Sequence, residues 1–115
     1  MKHSFEGIGQ WAATFTCGGE VSANHVVKIS GNETVSPCVA GDAFCGVTVF
    51  VGRDGEACSV ALGGMVTTTY TGGVPALGWG GLSADGNGGV QVDSAANRYR
   101  VVDVDESAGL VTFAL

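Results

Sequence analysis

Glycine spacing limits this chain more than any other feature. There are 20 glycines in 115 residues, and they are not gathered into one linker. With aspartate and asparagine they interrupt the chain at intervals of roughly 8 to 12 residues. Between the interruptions lie short runs of valine, threonine and other residues that suit a pleated surface. A helix needs apolar residues repeating at three- and four-residue steps over ten or more positions. No stretch provides this, and Ser94-Ala95-Ala96-Asn97 is long enough only for a turn.

The runs predict an all-β fold, a small single-domain β-barrel or sandwich of about eight short, mainly antiparallel strands. Residues 1–10 are expected to form an extended N-terminal arm, and residues 11–115 the β-domain. The expected strands are Trp11–Cys17, His25–Ile29, Glu33–Cys38, Cys45–Val51, Ala57–Leu62, Met65–Thr71, Val90–Asp93, Tyr99–Val104 and Leu110–Leu115. The strongest is CGVTVFV, where simple alternation puts Cys45, Val47, Val49 and Val51 on one face and Gly46, Thr48 and Phe50 on the other. Asp54-Gly55 signals a hairpin, Gly63-Gly64 a sharp bend, and Thr71–Gly81 (TGGVPALGWGG) a loop.

Charge excludes several classes of partner. The net charge is −6, with only five Lys and Arg residues. No basic run is present to displace counterions from nucleic acid or to hold an anionic membrane, so neither partner is expected. No apolar stretch approaches the roughly 20 residues that span a bilayer as a helix. The opening MKHSFEGIGQW has a lysine with no apolar run behind it, so it is not expected to act as a secretory signal. Asn32-Glu33-Thr34 matches a glycosylation acceptor, which carries no weight without export.

Sites of chemistry are hard to find. Cysteines 17, 38, 45 and 58 show no CxxC spacing and no adjacent histidine, so they read as small core hydrophobes and no metal or other cofactor is expected. Whether any of them pair is open at this stage. Ser83–Gly89 (SADGNGG) resembles half of a calcium loop, but position 96 is Ala96 and no flanking helices are expected, so it reads as a turn. Asp103, Asp105 and Glu106 form the densest acidic cluster, beside Arg98 and Arg100, and read as a solvated or ion-paired strand end. No serine lies in a GxSxG context, and the Gly-rich segments lack a P-loop lysine. A metal-assisted hydrolase using Asp103, Asp105 and His25 is the weakest of the readings, so no catalytic residue is expected. The residues most suited to an interaction surface are Phe5, Ile8, Trp11, Tyr70 and Trp79: two apolar residues in the arm and three rings in glycine-rich or strand-start settings.

Four stretches, HVVKISGNETV (25–35), AGDAFCGVTVFV (40–51), ALGGMVTTTY (61–70) and RVVDVDESAGLVTFAL (100–115), occur in an order that resembles the head-decoration, or capsid-cement, proteins of tailed bacteriophages. The four cysteines and TGGVPALGWGG depart from that pattern. The resemblance implies a non-enzymatic virion structural protein, assembled in the bacterial cytoplasm onto the capsid exterior. Its implied partners are the major capsid protein and further copies of itself, with a trimer as the implied oligomer. The alternative is a carbohydrate- or ligand-binding β-module that uses the exposed aromatics.

Overall fold

The computed structural model describes residues 9–115. They form ten strands and no helix: β1 (Trp11–Cys17), β2 (Val26–Gly31), β3 (Thr34–Pro37), β4 (Gly46–Val51), β5 (Ala57–Gly63), β6 (Met65–Thr69), β7 (Gly78–Ala84), β8 (Val90–Val92), β9 (Arg98–Asp105) and β10 (Leu110–Ala114). The strand absent from the sequence reading is β7, GWGGLSA, which has three glycines in its first four residues. Glycine weakens a strand alone, and here pairing on both sides supplies what propensity does not.

The first five strands close into a barrel in the order β1-β3-β2-β4-β5, with β5 returning antiparallel to β1. One junction is parallel: β1 meets β3 through Thr16↔Thr34 and Cys17↔Val35. The other five strands form a sheet in the order β6-β10-β9-β7-β8, antiparallel throughout. A single parallel bridge, Tyr70↔Val90, joins its two ends at one point.

The Gly63-Gly64 bend carries the chain from barrel to sheet. Gly64 sits at φ 91°, and a Cβ there would overlap the backbone of Gln10. Glycine is required on both counts, since the positive φ and the close approach each exclude a side chain.

The core has two compartments. Val27, Val35, Cys58 and Val60 pack together inside the barrel. Val26, Val47, Ala61, Leu82, Val101, Val111 and Phe113 belong to a second cluster, between barrel and sheet. Neighbouring residues thus serve different compartments: Val26 and Val27 on β2, and Val60 and Ala61 on β5. Strands buried on both faces lose the polar–apolar alternation of a one-sided sheet. Phe113 is fully buried at the centre of the second cluster. Its ring centroid lies 5.9 Å from that of Phe44 and 5.4 Å from that of Tyr99, edge-on to both.

Strand β4 departs from the expected faces. Its register to β5 runs Val47↔Ala61 and Thr48↔Val60, then shifts to Phe50↔Ser59 and Val51↔Cys58. Val49 is the extra residue of a β-bulge, which reverses the alternation beyond it. Val47 therefore belongs to the inter-layer core, while Val51 packs against the barrel interior and Phe50 is exposed.

Candidate interaction surface

The stretch between β6 and β7 is the most exposed apolar region of the sheet half. Pro75 is buried and anchors its middle. On either side Val74 is 51 % exposed and Leu77 68 %, and Trp79 on β7 is 59 % exposed. Gly78, at φ 93°, turns the chain into β7, and a Cβ on Gly78 or Gly80 would meet nothing within 4 Å. Both glycines beside Trp79 therefore leave its ring uncovered. Cross-strand pairing places Trp79 opposite Arg100 of β9, and the guanidinium carbon lies 4.9 Å from the indole centroid. That is cation–π range, and it braces a large exposed ring in one orientation.

The other sequence candidates have different surroundings. Trp11 opens β1 opposite Gly63, 60 % exposed, and a Cβ on Gly63 would overlap its indole. Tyr70 is half-buried against the inter-layer core, at the bridge to Val90. The three rings thus occupy three separate elements. Phe5 and Ile8 lie outside the described residues.

The acidic candidates are accounted for by local geometry. SADGNGG forms the hairpin turn between β7 and β8. Asp85 is buried, and its Oδ1 accepts from the backbone N–H of Asn87 at 2.7 Å and of Gly89 at 3.1 Å. Its Oδ2 accepts from Thr71 Oγ1 at 3.1 Å, which ties the start of the 71–79 segment to this turn. Asp105 accepts from Ser107 Oγ and the Ala108 N–H, closing the turn of the β9–β10 hairpin. Asp103 stands opposite Thr112. No group of three or more His, Cys, Asp or Glu side chains suited to a metal comes together among the described residues.

Charge effects are confined to a few groups. Lys28 Nζ contacts Asp42 Oδ2 at 2.7 Å on the barrel surface. This hydrogen bond holds the Asp42 carboxyl below its usual range and raises the Lys28 ammonium. The four cysteines are free thiols. Burial pushes Cys38 up to about 11. Burial, reinforced by a hydrogen bond with Cys17, does the same to Cys58, which also reaches about 11. Such thiols stay protonated and poorly nucleophilic near neutral pH.

Val74, Leu77 and Arg100 were not singled out in the sequence. The available signal was the apolar residues inside TGGVPALGWGG, a segment whose glycines mark it as loop and therefore as surface. Arg100 gave no such signal, because its contact with Trp79 depends on pairing β7 with β9. Compared with known proteins, the chain matches no family model and no curated sequence.

Proposed function

We propose that this chain is a non-enzymatic structural protein that decorates the exterior of a phage capsid, and that it joins to further copies of itself and to the shell through the apolar segment 74–79. One observation carries the reading: Val74, Leu77 and Trp79 are each more than half exposed within six residues of chain. Clustered apolar surface of this kind is costly in water and marks contact with another protein. A braced tryptophan at its centre is the residue type that most often dominates binding energy in such contacts. The net charge of −6 suits the outside of a shell better than its DNA-lined interior. The order of sequence features supplies the capsid and the trimer, and the exposed segment supplies the means of attachment.

The test is co-sedimentation of the pure protein with undecorated shells of the phage that carries the gene, comparing the native chain with a Leu77→Ser/Trp79→Ser variant. Binding by the native chain and its loss in the folded variant are expected. A native chain that stays in the supernatant at every concentration would end the proposal.

The ligand-binding alternative rests on the Trp79–Arg100 pair, since a flat ring fixed by a neighbouring guanidinium is also a stacking platform for sugar. Saturable quenching of tryptophan fluorescence by a sugar, abolished by Trp79→Ala, would favour it over the capsid reading.

A further inference from the structure

Strand β6 ends the sheet, and its side away from β10 carries no strand among the described residues. A groove of about 760 Å³ runs beside it. All five residues of β6 line this groove, those that point into the core and those that point to solvent alike. The groove therefore follows the strand's edge, where backbone N–H and C=O groups lie, and does not sit on one face. Val47 and Val49 of β4 and the turn at Ala23–His25 form the opposite wall.

The edge is capped at both ends. Gln10 Nε2 donates to the Met65 carbonyl at 3.3 Å. Beyond the other end, Tyr70 bridges to Val90. Between the caps, Val66–Thr69 present an edge open to another strand. A second observation concerns a side chain. Thr68 is 2 % exposed, lines the groove, and its Oγ1 is buried without a hydrogen-bond partner. Buried hydroxyls are normally satisfied, so an orphan one beside an unfilled groove points to a missing polar partner.

We propose that residues 1–8 of the same chain fill this groove as an added strand along β6. The chain enters the described structure at the correct place, because Gly9 and Gln10 pack on Gly64, immediately before β6. The direction also fits. Strand β1 runs antiparallel to β5, and β6 continues from β5 after the bend, so the chain upstream of Trp11 arrives antiparallel to β6. Length suffices: a strand advances about 3.3 Å per residue, and the four open positions need only part of the eight residues that precede Gly9. The groove lining is uncharged apart from His25, and the segment carries Phe5 and Ile8 to set against Val47, Val49 and Val66. A carbonyl of the added strand would accept from Thr68 Oγ1. Tethering at Gln10 gives the segment a local concentration of millimolar order, which no free partner matches without comparable supply. The proposal stands apart from the capsid reading and does not depend on it.

Hydrogen exchange resolved by residue tests it on the full chain, at two protein concentrations. The reporters are the amides within Val66–Thr69 that point away from β10. We expect them to exchange at least tenfold more slowly in the native chain than in Gly7→Pro, which cannot complete the added strand, or in Ile8→Asp, which places a charge against valines. Protection of Val111 and Phe113 should be the same in all three proteins. Equal exchange at the reporters in native and variant chains would overturn the proposal. So would slow exchange that appears only at the higher concentration, because that outcome assigns the groove to a second copy.

Discussion

The barrel and the open sheet have five strands each and differ in what happens at their edges. In the barrel, β5 returns to β1 and every strand has two neighbours. Closure of that kind removes edges altogether. In the sheet, β6 and β8 are terminal, and only the Tyr70↔Val90 bridge draws their ends together. The exposed apolar residues follow the same division. On the barrel, Trp11, Ile29 and Phe50 come from three different strands, whereas on the sheet side Val74, Leu77 and Trp79 come from one short segment. Isolated exposed hydrophobes are normal, and a run of them is a contact surface. Closure makes the barrel a stable base, and the incomplete half carries the surfaces that need covering.

The shared inter-layer core makes the largest prediction. Phe113 contacts Phe44, which precedes β4, and Tyr99 of β9, so its loss should be felt in both halves. Phe113→Ala should cost about 3–5 kcal/mol in denaturant unfolding. The transition should remain single and shift as one. If the barrel kept its own transition unchanged, the two halves would be separate folding units and the comparison would have to be redrawn.

A smaller effect is expected inside the barrel. Val60 is fully buried there, and Val60→Ala should cost about 2 kcal/mol, close to the transfer value for a buried valine plus a small cavity. The same single transition should move in this variant. An unchanged midpoint would mean that the barrel interior is looser than its burial indicates.

The thiols make the smallest prediction, one in pH. Unfolded cysteines lose their protons near pH 8.5. In the folded protein Cys38 and Cys58 keep theirs to about 11. Between those values the unfolded chain binds fewer protons than the folded one, so stability falls as pH rises. Below pH 8 these groups contribute no slope. Cys58 reports the barrel interior and Cys38 the inter-layer core, so Cys58→Ala and Cys38→Ala should each remove part of the alkaline fall. Urea midpoints from pH 7 to pH 11 measure it, and a flat profile would contradict the burial of both thiols.

Much of the fold was legible because the turns were. Asp54-Gly55, Gly63-Gly64 and the DESAG turn each separate strands where the spacing indicates, and nine of the ten strands were identified from β-branched runs. Strand β7 was hidden because GWGGLSA has the composition of a loop, and only pairing with β8 and β9 makes it a strand. The faces of β4 were misread because one bulge at Val49 leaves no mark in the sequence, while both sides of the strand are apolar enough to be core. The parallel β1–β3 junction was equally invisible, since it depends on closing the barrel. Of the candidate surface, Trp79 was legible from its glycine neighbours. Arg100 beneath it and the unsatisfied Thr68 hydroxyl were not, because both follow from contacts between strands distant in sequence.

Sedimentation velocity on matched serine variants tests most directly whether the sheet side carries the contact surface. Phe50→Ser removes the most exposed barrel aromatic, and Leu77→Ser/Trp79→Ser removes the apolar segment. Both sets of substitutions should leave folding stability within about 0.5 kcal/mol, as surface changes do. The native chain and Phe50→Ser are expected to sediment as the same concentration-dependent oligomer, with the double variant monomeric throughout. Loss of association in Phe50→Ser with retention in the double variant would place the contact surface on the barrel and contradict the account.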